Sequence, residues 1–247
     1  QKSLVRELEI GREIQAHFPP ASLPTMTGLD FAARLRSAKM VGGDFYDLFP
    51  LGGGREMVAV IGDVCDKGVG AALFMALFRS LLRALAEQSD GARWNDRGAG
   101  QDRRRETGPR MFATVFFAIV DGESGLVQYI NAGHEPPAVV GPHGVRLLPP
   151  TGPALGLMPG LPFEVGQTTL APGESLVAWT DGVTEARTDA GDELYGEVRT
   201  LNTVGVGAGS ADATRDGLVS AVDAWAAGAE QSDDITLLAV RRLPAEG

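Results

Sequence analysis

"VGGDFYDLFPLGGGREMVAVIGDVCDKG", residues 41–68, has the apolar content of two buried strands, yet it carries Asp44, Asp47, Asp63 and Asp66. The glycines of "PLGGG" (50–54) tolerate the positive φ that a tight hairpin turn needs. With the turn centred on Gly53-Gly54, paired residue numbers sum to 107 and Asp44 faces Asp63. Side chains opposed in this way have Cβ atoms about 4.5–5.5 Å apart, and like charges there repel. A register slip would part the two carboxylates. In register, they need a proton or a cation between them, and oxygen-only ligands favour hard divalent ions, Mg2+ or Mn2+.

Two further acidic sites share this character. Asp181 ends an apolar run in "LVAWTDG", and Asp233-Asp234 open another in "SDDITLLAV". A lone Asp at a strand end is usually a turn former. Several of them on apolar strands, without Lys or Arg beside them, point to a metal cluster.

The rest of the composition is that of an ordinary globular chain: 247 residues, 44% hydrophobic and 22% charged, enough for a sizeable core. The formal charge of −10 argues against nucleic acid or an anionic membrane as partner. A single cysteine, Cys65, excludes an internal disulfide and suits a reducing cytoplasm. No apolar run approaches the roughly 20 residues that span a bilayer.

Residues 3–18 space Leu4, Leu8, Ile10, Ile14 and Phe18 as a helix, stopped by Pro19-Pro20. This reads either as a helix packed on its own domain or as a linker or regulatory helix over 1–20 that joins a domain over 21–247 to an upstream sensor, with dimerisation through the helix. Strands are expected at 29–37, 43–48, 57–64, 111–121, 125–133, 137–141, 145–149, 163–171, 174–182 and 233–243. A long buried helix is expected at 69–88 and another at 210–227, with a mobile, polar loop over 89–110. Many short strands joined by tight turns, with few helices, make an α+β antiparallel β-sandwich flanked by helices in four αββα layers.

The ordered stretches "VGGDFYD", "GDVCDKGVGAALFMA", "NAGHEPP", "TDGVTEAR" and "DDITLLAVRR" resemble the signature of bacterial metal-dependent serine/threonine phosphatases of the PPM class, in the sporulation-phosphatase and RsbU branch. The resemblance runs from about residue 11 to the last strand. It implies two Mn2+ or Mg2+ ions that activate a shared water for direct attack on phosphorus. It also implies metal ligation by Asp44, Asp63 (bridging), the Val64 backbone carbonyl, Asp181 and Asp233, with Asp234 the alternate to Asp233 and Asp66 outside the set. The implied substrate is a phosphorylated STAS-domain anti-sigma-factor antagonist, in the cytoplasm. A catalytically weak module that relays signals by binding is the alternative.

Other residues admit two readings. Lys39, five residues before Asp44, is either solvated or a phosphate contact. His134 in "NAGHEPP" either donates a proton to the leaving group or organises its turn. "DKGVGAA" (66–72) can offer backbone amides to an anion or pack closely, and Cys65 reads as a small buried side chain. The segment 89–110 stands where the family usually carries another amphipathic helix. Its arginines, Arg93, Arg97, Arg103, Arg104 and Arg105, are either solvated or steer a phosphoprotein.

Overall fold

The computed structural model describes Glu13 and residues 19–65, 112–157, 163–189, 193–206 and 209–244. Within these, the strands in chain order are β1 (Leu29–Arg36), β2 (Asp44–Leu51), β3 (Glu56–Val64), β4 (Ala113–Asp121), β5 (Leu126–Ala132), β6 (Ala138–Gly141), β7 (Gly144–Leu147), β8 (Gly166–Thr169), β9 (Ser175–Trp179) and β10 (Ile235–Arg242). Three α-helices accompany them: α1 (Asp181–Thr184), α2 (Gly196–Gly205) and α3 (Ala211–Ala226). The strands form two five-stranded sheets, ordered β1-β10-β9-β6-β7 and β2-β3-β4-β5-β8. All pairings within them are antiparallel.

The continuous apolar runs follow from burial on both faces. In β3, Met57, Ala59 and Ile61 point between the sheets, where they meet Phe116 of β4 and Leu238 of β10. The alternate residues Val58, Val60 and Val64 join Phe45, Phe49 and Phe117 in a second core on the other side of the same sheet. The two-residue period of a strand therefore feeds two cores from one segment. A third core, holding Trp179, Leu237, Leu218 and Val222, lies between the first sheet and α2 and α3. Helix α3 earns that place by periodicity, with Thr214, Leu218 and Val222 buried on one stripe. Ser210 caps its start by accepting from the Ala213 amide at 3.0 Å.

The α+β sandwich expected from the sequence is thus the observed architecture. The strands begin and end within a few residues of the expected limits. Helix α2 was not expected. "GEVRTLNTVG" starts and ends on glycine, carries β-branched residues and has no side-chain cap at Tyr195, so local propensity is poor. Tertiary contacts supply what propensity lacks: the Arg199 guanidinium lies 4.1 Å from the Trp225 ring centre, and Tyr195 meets the same ring edge-on. The expected helices at 3–18 and 69–88, the loop 89–110, Asp66 and "DKGVGAA" fall outside the described residues, apart from Glu13.

Candidate functional site

The β2–β3 hairpin adopts the register read from its glycines. Asp44 pairs with Asp63, and the ladder closes at Leu51 opposite Glu56, with Gly53 and Gly54 at φ 68° and 93° in the turn. Leu48 and Ile61 belong to the core between the sheets. Alternation puts Asp44 and Asp63 on that same side, at the end of the apolar layer. Asp44 is 2% exposed. From the opposite sheet, the Thr180 and Thr236 hydroxyls each donate to Asp44 Oδ2 at 2.6 Å. The Thr180 hydroxyl also accepts from the Thr236 amide at 3.0 Å. Burial pushes the Asp44 carboxyl well above the ordinary carboxylate range, and the facing charge of Asp63 adds to the rise. The two hydroxyls pull the other way, and Asp234 contributes a smaller upward push.

Asp234, also 2% exposed, is occupied by backbone. Its Oδ1 accepts from the Ala38 amide at 2.8 Å. Its Oδ2 accepts from the Gly43 amide at 2.8 Å and, longer, from the Asp44 amide at 3.4 Å. The carboxylate thereby ties the 38–44 loop to the start of β10, so closely that a Cβ on Gly42 would collide with it. Lys39 is exposed on this loop. Asp233 is half-buried. Its Oδ1 accepts from the Asp234 amide at 2.8 Å, and its carbonyl accepts from Gln231 Nε2 at 2.7 Å. Asp181 opens α1, half-buried, and Gly182 after it lies against the Asp234 carbonyl. Val64 is buried, and its amide donates to the Gly43 carbonyl at 3.0 Å.

The sequence-expected residues are therefore linked into one end of the sandwich. Asp63 faces Asp44, Asp44 adjoins Asp234, and Asp233-Asp234 adjoin Asp181-Gly182. Among the described residues, no group of three or more His, Cys, Asp or Glu side chains stands close enough to hold a metal ion. The pair that meets face to face is Asp44 and Asp63. The donor chemistry fits a hard divalent cation: the oxygens are carboxylate, and a cation relieves both the burial and the facing Asp63 charge that lift the Asp44 carboxyl.

His134 takes its structural role. It is 3% exposed, its amide donates to Asn131 Oδ1 at 2.8 Å, and its Nδ1 lies 3.1 Å from the Thr114 hydroxyl. Burial drives its pKa down to about 4, with only a partial counter-pull from the Trp179 backbone. A ring held neutral at pH 7 has no proton to spare as a general acid. Cys65 corrects the expectation of burial: it is exposed, just past the last residue of β3, with Sγ accepting from the Phe112 amide at 3.1 Å.

Three residues escaped the sequence reading. Thr180 and Thr236 hold Asp44 from the other sheet. Glu135 accepts from Trp179 Nε1 at 2.8 Å and from the Thr184 hydroxyl at 2.7 Å, bracing the short helix that Asp181 begins. Burial raises the Glu135 carboxyl, these two donors oppose the rise, and the nearby Asp181 charge adds a little to it. The only local signal was position: Thr180, Glu135 and Thr236 sit inside the "TDG", "NAGHEPP" and "DDITLLAVRR" motifs.

Comparison with known proteins adds the lineage. The family model for stage II sporulation protein E (SpoIIE) matches residues 53–243. Protein IcfG of Synechocystis sp. is 39% identical over 96% of this chain and 41% of its own length. The phosphoserine phosphatase RsbU of Bacillus subtilis is 27% identical over 77% of this chain and 57% of its own length. The chain thus spans only about half of the curated relatives it matches. The SiaA-PP2C domain of Pseudomonas aeruginosa superposes with a TM-score of 0.78 at 19% identity, covering 98% of this chain and 97% of that one, which is a likeness of fold.

Proposed function

The chain belongs to the SpoIIE family of PP2C-type phosphatases, and from that membership we propose that it hydrolyses phosphoserine or phosphothreonine on a protein, using two Mn2+ or Mg2+ ions. The observation that carries this reading is the directly opposed pair of buried Asp44 and half-buried Asp63. Ionised carboxylates so placed are costly without a cation.

In this reading Asp44, Asp63, Asp181 and Asp233, with the Val64 carbonyl, hold the ions. Asp233 is favoured over Asp234, because backbone amides already take both Asp234 oxygens. Bound divalent ions supply an acidified water and screen the phosphoryl charge. The protein supplies placement. The Thr180 and Thr236 hydroxyls fix Asp44 Oδ2, so Asp44 meets a cation through its other oxygen. Asp234 sets the loop that carries Lys39, where the ammonium can meet a phosphoryl oxygen. His134, held neutral by burial, shapes its turn.

The proposed substrate is a phosphorylated STAS-domain antagonist of an anti-sigma factor, in the cytoplasm. Residues 1–20 would carry regulation from an upstream sensor, through a homodimer, into the domain at 21–247. Among the described residues, no helix is long and apolar enough to cross a membrane. The direct test incubates the protein with phosphorylated STAS candidates from the same genome, with Mn2+, with Mg2+ or with chelator, and follows phosphate release. Metal-dependent release supports the reading. No release from any candidate, nor from a small aryl phosphate ester, would leave a binding module instead.

A further inference from the structure

The inter-sheet contact at Asp44 has a direction fixed by its hydrogen bonds. The Thr236 amide donates to the Thr180 hydroxyl. That hydroxyl therefore turns its lone proton toward Asp44 Oδ2. The Thr236 hydroxyl delivers a second proton to the same oxygen. Thr180 and Thr236 are both fully buried, at 0% exposure, and Asp44 is at 2%, so water cannot replace either donor. Thr180 and Thr236 lie 136 and 192 positions from Asp44 along the chain, Thr236 within β10 and Thr180 just past the end of β9, both on the sheet opposite Asp44. Two donors on one oxygen occupy its lone pairs and fix the rotation of the carboxyl about its Cβ–Cγ bond.

We propose that Thr180 and Thr236 are positioning residues for the divalent cation: they hold the Asp44 carboxylate from the opposite sheet so that its remaining oxygen is presented to the ion before the ion arrives. This rests on Asp44 being a metal ligand, as proposed above. Neither threonine touches the ion. Each acts through Asp44, in the way that hydrogen bonds to a ligating carboxylate orient it and set its affinity.

The Thr236 hydroxyl can be removed without disturbing the Thr236 amide that bonds Thr180, so Thr236→Val is the cleaner variant. Thr180→Val also strips that amide of its acceptor and is the variant at risk of misfolding. Mn2+ binding is measured by titration calorimetry on the wild-type protein, Thr236→Val and Thr236→Ser. Thermal unfolding in chelator is measured alongside. Loss of an outer-shell partner weakens metal binding about ten- to a hundredfold, and this is the expected result for Thr236→Val. Thr236→Ser keeps the hydroxyl and is expected to bind Mn2+ within about threefold of wild type, although it loses the same buried methyl contacts that Val retains. In a turnover assay, excess Mn2+ should restore the rate of Thr236→Val while its half-saturating metal concentration stays raised.

Equal Mn2+ affinity in wild type and a folded Thr236→Val would overturn the positioning role while leaving the metal site standing. Serine failing to rescue, with affinity tracking the melting temperature across the variants, would overturn it too and leave a purely structural contact. A wild-type protein that takes up no Mn2+ or Mg2+ would instead remove the metal site, and the positioning role with it.

Discussion

Gly182 lies so close to the Asp234 backbone that a methyl group on its Cα would collide with the Asp234 carbonyl oxygen. This contact joins the residue after Asp181 to the residue after Asp233, and so brings two distant acidic motifs side by side.

Gly182→Ala should therefore destabilise the protein by about 1–3 kcal/mol, the usual cost of overpacking. Gly217→Ala is the control: it lies within α3 with nothing near its Cα. There the change should stabilise by about 0.5–1 kcal/mol through the unfolded chain. Urea unfolding of the two variants checks the contrast, and similar effects at both positions would contradict it.

Asp63→Asn should abolish metal-dependent hydrolysis while leaving the metal-free fold intact or slightly firmer. It removes the charge that faces Asp44, a repulsion of up to about 1 kcal/mol. The check pairs a phosphopeptide assay with melting curves in chelator. Undiminished turnover would refute the assignment.

The neighbours Asp233 and Asp234 should separate by phenotype. Asp234→Ala strands the Ala38 and Gly43 amides and should cost about 3 kcal/mol or more in urea unfolding. Asp233→Ala should cost less than half as much stability yet weaken Mn2+ binding in calorimetry. The reverse pattern would make Asp234 the ligand.

His134 should leave a mark on the pH dependence of stability. Its folded pKa is about 4, against an ordinary value of 6.5. Between those values the unfolded chain binds the proton and the folded protein does not. Its stabilising contribution is therefore complete above about pH 6.5 and is lost as pH falls toward 4, by about 3 kcal/mol in all. Asp44 has the opposite sign, since its raised pKa favours the folded state below its own titration. The measurement is consequently a difference: the gap in unfolding free energy between wild type and His134→Gln across that window. A gap that does not change with pH would show that His134 is not held neutral.

What could be read in advance was whatever the chain encodes locally. The Gly53-Gly54 turn fixes the hairpin pairing, and pairing alone brings Asp44 to Asp63. Burial of both faces of β3 is likewise visible as an unbroken apolar run. The roles of Asp233 and Asp234 could not be divided in this way, because what separates them is contact with the 38–44 loop, almost two hundred residues away. Thr180 and Thr236 look like ordinary strand residues until the two sheets are stacked. Helix α2 has too little propensity to announce itself and forms against Trp225. Cys65 looked like core because its neighbours on the strand are, although the ladder ends one residue before it.

The hairpin ladder runs through eight residue pairs, from Leu51 opposite Glu56 to Asp44 opposite Asp63, a span of about 24 Å. A glycine turn at the far tip thus acts as a ruler for the acidic end. Inserting or deleting a single residue there would rotate one strand's whole sequence by half a turn and swap its two faces. Asp63 would then look across at Gly43 or Phe45, and a loop remote from the chemistry would have erased it.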